Sequence, residues 1–301
     1  MLYSDQEPDG GSSHTAHAKG ALLFDSSEGF WMVHSLPRFP ADPSMKYIWP
    51  ENGYINGQVF LCVTYPRQEL DTIKNQILFY KPNIYSRHPQ PSGLSLPSAA
   101  QSADGSTSPI SLVTLKDRQF LSIAKQDGHD LDIYEYVAER LRVTGFDVQT
   151  WRNGMGEKLA SCTGQTKYTF TGKYSVENID TLQFPSPNGG TITYERTKDH
   201  SKWCVSDDRS RPWVCIGDLN RMVSQRTRGG GVVCLNNLAV WEQFRRLRGE
   251  IEVANIDRRD CPGVFSLHFV QYVFSYFSDP LRKHDVSRRS LDLPNYLRAR
   301  N

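Results

Sequence analysis

The sequence contains no Cys-x-x-Cys pair and no His/Cys cluster at zinc spacing, so nothing in it asks for a structural metal. It has no large excess of charge of either sign. The formal net charge is +2, so any polyanion must be met by a local cluster rather than by the whole surface. Long apolar runs are missing too. The most apolar late stretch, 264–277, is interrupted by Ser, His and Gln and is too short to cross a bilayer. The opening "MLYSDQEPDGGSSHTAHAKG" shows no basic segment followed by an apolar one, so no signal peptide is read there. With 38% apolar and 23% charged residues, the 301-residue chain is expected to be globular with a real core.

What is present favours strands: 14 Tyr, 14 Phe and 6 Trp. Residues 1–13, polar and rich in Gly and Ser, read as a disordered lead. Ala21–Phe24, Phe30–His34 and Val59–Tyr65 read as strands, and Asp71–Tyr80 as a helix. A Pro/Ser/Gly-rich linker over 86–109 closes a first half, 14–109. The second half, 110–262, offers strands at Ile110–Leu115, Gln119–Ala124, Phe146–Trp151 and Ile179–Phe184. Its helices are one capped by Asp130 and one over Leu238–Leu247. The stretch 263–301 matches neither half. This order predicts a mixed α+β fold of the broad α/β class, built around sheets.

Two stretches repeat one another: "AHAKGALLFDSSEGFWMVHSLPR" from residue 16 and "KDHSKWCVSDDRSRPWVCIGDLNR" from residue 198. His17 aligns with His200 and Lys19 with Lys202, 183 residues apart. Trp31 aligns with Trp213, Ser35 with Gly217 and Arg38 with Asn220, 182 apart. In each copy the chain runs out along one strand and back along the next. Strand side chains repeat every second residue, so the His and Lys of His-x-Lys share a face. Each hairpin therefore brings an imidazole, an ammonium and a polar partner to one sheet end. Two such hairpins facing each other make a symmetric site for a phosphate.

These motifs, with "GQVFLCVTYP" and "RGGGVVC", resemble deoxyribonuclease II, the acid-active endonuclease family of the phospholipase D superfamily. The resemblance runs from about residue 17 to about 262. It implies a phospholipase D-like pseudo-dimer of two related sheet-and-helix halves, the first incomplete, since ninety-odd residues precede the second His-x-Lys hairpin within its half and only sixteen precede the first. It implies DNA as partner, no cofactor and no metal, a lysosomal or secreted location, and leaves a homodimer open.

By the same resemblance, one of His17 and His200 attacks phosphorus and the other protonates the leaving 5′-oxygen, then activates water. Which does which is left open. Lys19 and Lys202 neutralise phosphate oxygens, with His34, Asn220, Arg38 and Gln225 in support. Gln225 stands where relatives carry a carboxylate that orients a histidine. Disulfides are implied between Cys215 and Cys234 and between Cys162 and Cys261, with Cys204 free and the partner of Cys62 in an N-terminal segment. Arg226 and Arg228 read either as phosphate contacts or as solvated charges, and Arg245, Arg246 and Arg248 as a solvated helix face. A catalytically weak relative that binds DNA or acts as a secreted interaction protein is the alternative function.

Overall fold

The computed structural model describes residues 1–12, 14–86, 107–161 and 174–252. The expected tail, 263–301, and both members of the Cys162–Cys261 pair lie outside them. So does most of the linker, although 107–109, assigned to it, open a strand.

A first, five-stranded sheet is built from β1 (Leu2–Ser4), β2 (Lys19–Phe24), β3 (Glu28–His34), β4 (Phe60–Pro66) and β5 (Ile84–Ser86), in the order β4-β3-β2-β1-β5. A short helix, α1 (Asn52–Ile55), precedes β4, and α2 (Leu70–Phe79) follows it. The lead over 1–13 is therefore not wholly disordered. Leu2 and Tyr3 are buried, and Tyr3 accepts a 2.9 Å hydrogen bond from Trp31 Nε1, so burial on both sides holds β1 between β2 and β5. Tyr3 lies opposite Gly20, where any Cβ would overlap its ring and hydroxyl, so glycine is required there.

The second sheet has seven strands. Its members are β6 (Thr107–Val113), β7 (Gln119–Lys125), β8 (Gly145–Gln149), β9 (Ser175–Asn178), β12 (Trp203–Ser206), β13 (Trp213–Gly217) and β14 (Gly230–Asn236), ordered β6-β7-β14-β13-β12-β8-β9. Between β9 and β12 a separate hairpin forms from β10 (Thr181–Pro185) and β11 (Thr191–Glu195). The helices of this part are α3 (Ile133–Leu141) and α4 (Leu238–Leu247).

Asp132, not Asp130, caps α3, its side chain accepting from Tyr134 N. Asp130 is instead drawn to Arg226 at 2.7 Å. Nor is the basic face of α4 simply solvated, because Arg245 and Arg248 both reach Asp147, and Arg245 lies over Trp241.

Alternation along β12 and β13 explains their near-continuous apolar spelling. Trp203, Val205, Val214 and Ile216 face one core, shared with Tyr3, Trp31, Ile73 and Ile77 of the first sheet and α2. Cys204 and Cys215 face the other core, under Ile133, Val137 and Leu141 of α3. The two sheets thus hold one core in common, which fixes their His-x-Lys hairpins relative to each other.

Candidate active site

The hairpin register is the same in both sheets. Gly20 pairs with Val33 and Ala21 with Met32; 183 residues later Trp203 pairs with Ile216 and Cys204 with Cys215. The offset stays at 183 along the whole hairpin. Trp31 therefore matches Val214 and Ser35 matches Asp218, a correction of one residue to the return-strand alignment read from sequence. The tryptophans misled that alignment because both strands carry one, at neighbouring positions that point to opposite faces.

With the register corrected, the anchoring of the two histidines becomes reciprocal. His17 donates through Nδ1 to the Asp218 carbonyl at 2.7 Å, and His200 through Nδ1 to the Ser35 carbonyl at 2.9 Å. The backbone repeats this exchange. His17 N donates to Gly229 O at 2.9 Å, and His200 N to Gly57 O at 2.7 Å, each glycine lying just ahead of β14 or β4. A carbonyl can only accept, so both rings carry their proton on Nδ1, leaving Nε2 as the variable nitrogen of each. Each half thus orients the other half's imidazole.

Around this frame the two ends differ. At His17, Asp5 lies 3.9 Å from Nε2, takes Lys19 Nζ at 2.5 Å and is reached by Arg228 at 3.2 Å. At His200, Lys202 Nζ donates to the His200 carbonyl at 2.6 Å and lies across the ring, 3.1 Å from Nδ1 and 3.4 Å from Nε2, while the Trp151 ring lies 5.0 Å away at 60°. His17, Lys19, His200 and Lys202 are all buried. Burial, followed by Lys19, holds His17 down at about 3. Burial, then Lys202 and Lys19, holds His200 lower still. Burial would raise Asp5, but His17, Lys19 and Arg228 outweigh it and keep the carboxyl well below the usual range. Asp218 is pushed up by burial to about 7.

A cavity of about 440 Å³ opens beside His200, lined by Arg38, Asn52, Ile55 and Trp151 among others. Arg38 is thus brought to the site. Asn220 is close by, its Oδ1 accepting from Trp151 N at 3.1 Å.

Gln225 holds no histidine. It accepts from Asn220 N at 2.6 Å and so braces the loop that carries Asn220. His34 is buried, stacked on Phe60 at 5.3 Å and edge-on to Phe39, with neither ring nitrogen in a well-formed hydrogen bond. Burial, then Lys19, lowers it to about 3, so it is a neutral ring in an aromatic wall. Arg226 and Arg228 are both engaged within the protein. The first pairs with Asp130, and the second binds Thr15 O and Asp5.

Asp5 and Trp151 were not legible as site residues. Asp5 follows Leu2 and Tyr3 in a segment that reads as polar lead, and only the pairing of β1 with β2 brings it to Lys19. The sole sequence signal was the apolar pair just ahead of it. Cys215 and Cys234 form the expected disulfide across β13 and β14, and Cys62 and Cys204 are free. Cys62 lies opposite Met32, the position matching Cys215. Among the described residues no group of three or more His, Cys, Asp or Glu is placed to hold a metal ion, and no helix is long and apolar enough to cross a membrane.

The sequence profile of the Deoxyribonuclease II family matches residues 1–253. Deoxyribonuclease-2-alpha of Rattus norvegicus is 34% identical over 262 residues, covering 82% of this chain and 71% of the relative. Deoxyribonuclease-2 of Caenorhabditis elegans is 36% identical over 258 residues, covering 81% and 64%. Plancitoxin-1 of Acanthaster planci is 34% identical over 257 residues, covering 81% and 68%. The chain therefore spans about two thirds of the length of these relatives. Across that span, with both His-x-Lys hairpins inside the matched region, the chain belongs to the deoxyribonuclease II family of DNA-cleaving hydrolases.

Proposed function

We propose that this chain is a metal-independent acid endodeoxyribonuclease that leaves 3′-phosphate ends through a phosphohistidine intermediate. The observation that carries the reading is the reciprocal anchoring of His17 and His200, which presents two Nε2 atoms beside two buried lysines. The two sheets are then phospholipase D-like halves around one scissile phosphate. One imidazole displaces the 5′-oxygen and the other supplies its proton. Splitting the displacement in two lowers each barrier. Lys19 and Lys202 supply the positive charge that the pentacoordinate transition state requires.

Acid dependence follows from the same charges. In the substrate-free protein burial and the lysines depress both histidines, so at neutral pH neither carries a second proton. A bound phosphate adds negative charge and raises them, and lower pH completes the protonation of the general acid. Cleavage therefore declines as pH rises through that group's value in the DNA complex. The disulfide and the family suit a lysosomal or secreted compartment.

Supercoiled plasmid, incubated with the protein in EDTA from pH 4.5 to 8, tests this. Nicking that is strongest near pH 5 is expected, with ends that block polymerase extension until a phosphatase removes the 3′-phosphate. An absolute need for Mg²⁺, or a peak above pH 7, would overturn it.

A further inference from the structure

We propose that Asp5 is a positioning residue that makes the two histidines unequal, so that His17 carries the proton for the leaving group and His200 is the nucleophile. This rests on the two-histidine reading above and adds the division of roles within it.

The hairpins match position for position, and each Nδ1 is anchored on a carbonyl of the other half, with Lys202 Nζ in addition 3.1 Å from His200 Nδ1. The difference between them must come from what faces Nε2. At His17 that neighbour is a carboxylate, Asp5 Oδ2 at 3.9 Å. At His200 it is the Lys202 amine, which lies across the ring, 3.1 Å from Nδ1 and 3.4 Å from Nε2, and which burial, followed by Lys19, holds well below the usual lysine range. A carboxylate favours a proton on Nε2, whereas neither Lys202 nor the Trp151 indole offers His200 a negative charge to hold one there. The strand pairing shows that this asymmetry is built in. Ser4 sits opposite Lys19 on β1, and Gln149 opposite Trp203 on β8. Carried one step to Lys202, that register makes Thr150 the counterpart of Ser4. Asp5 and Trp151, the next residues, then stand at matching positions beside the two histidines. One side received an acid and the other an indole.

His200 lines the 440 Å³ cavity, so a phosphate entering that cavity meets its ring. A nucleophile must meet phosphorus directly. The groups facing His17 are Lys19, Lys202, Arg228 and Asp5, with the Asp218 carbonyl on Nδ1, and Asp5 is the one anion whose charge raises it. Those facing His200 are Lys202, Lys19 and His17, all of which lower it.

In the first step the His200 Nε2 lone pair forms the N–P bond. The P–O5′ bond breaks, and O5′ takes the proton from His17 Nε2. Neutral His17 then removes a proton from water. The resulting hydroxide forms a new P–O bond, the N–P bond breaks, and the 3′-phosphate leaves with His200 neutral again.

Leaving-group dependence separates this from a structural role. Thymidine 3′-(4-nitrophenyl phosphate) releases nitrophenolate, which departs without a proton, whereas DNA releases an alkoxide that needs one. Asp5→Asn should lower kcat on plasmid DNA by on the order of 100-fold, as loss of general-acid support does. On the nitrophenyl ester it should lower kcat less than about fivefold. The falling limb of its pH profile on DNA should move to lower pH, and Asp5→Glu should recover part of the loss. His17→Ala should still release one equivalent of nitrophenolate and then stall as a phosphoenzyme, while His200→Ala releases none.

Equal losses on both substrates with an unmoved pH limb would overturn the role of Asp5. A phosphoenzyme trapped on His17 in the His200→Ala protein would overturn the division of roles. If both histidine variants matched the parent on both substrates, the two-histidine reading itself would fail. Should Asp5→Asn melt below the assay temperature, Asp5→Glu and the histidine pair decide the question.

Discussion

Replacing Arg221 by methionine removes the best-connected buried cation of the second half. Arg221 is fully buried. Its Nε binds Asp132 at 3.0 Å, and one terminal nitrogen reaches Asn178 Oδ1 at 2.8 Å and the carbonyls of Ala160 and Val176. Asp132 is equally buried and caps α3, so it cannot turn to solvent when its partner goes. Breaking a buried pair from one side strands a charge at a cost of about 3–5 kcal/mol. In a domain of this size each kcal/mol lowers Tm by roughly 2–4 °C, so a fall of about 6–20 °C is expected. Calorimetry or circular dichroism at pH 7 measures it. Arg221→Met with Asp132→Asn keeps an oxygen to cap Tyr134 N but removes the stranded charge, and should recover a large part of the loss. A single variant melting within about 2 °C of the parent would refute the reasoning. A double variant no more stable than the single would refute it as well. Arg221 also follows Asn220, whose Oδ1 holds the Trp151 backbone beside His200, so the single variant should lose cleavage even where it remains folded.

Three further outcomes are expected. His17→Ala and His200→Ala should each abolish DNA cleavage while retaining DNA binding that weakens steeply with salt, as filter binding across salt concentrations would show; near-parent turnover by His200→Ala would contradict the site. Asp218, raised by burial from 3.8 to about 7, holds more protons in the native state than in the unfolded chain between those values, so its contribution to stability is present at low pH and lost as pH rises to 7. Asp218→Asn should therefore gain in Tm relative to the parent from pH 5 to pH 8, and a constant difference would contradict the burial argument. Met32→Cys should form a disulfide with Cys62, because that register position carries Cys215–Cys234 in the other sheet; persistence of two reactive thiols under oxidising conditions would count against the equivalence.

The sequence made the chemistry more legible than its supports. His17, Lys19, His200 and Lys202 stood out because a repeated His-x-Lys ahead of a repeated hairpin is a periodic pattern, and strand period fixes which side chains share a face. The limits of α4, Leu238–Leu247, were equally readable, and the structure adds Asn237 as its cap. Asp5 was hidden because its strand is three residues long and is held by Gly20 and Trp31 far along the chain. The partners of Gln225 and Arg228 were not readable because short-range charge and family position do not say which group a loop will meet. Trp31 and Trp213 pulled the repeat out of register by one residue, since chemical identity at a strand position outweighs parity when only spelling is compared.

The crossed anchoring of the two imidazoles also bears on when the activity can exist. The ring bonds join residues 201 and 165 positions apart in the chain. At typical ribosomal speeds of 5–20 residues per second, Asp218 is made roughly 10–40 s after His17. Until then the first hairpin has no carbonyl to fix its ring, and closing so long a loop must await the second sheet. The two-histidine site therefore cannot be complete before residue 218 has been made and the second sheet has docked.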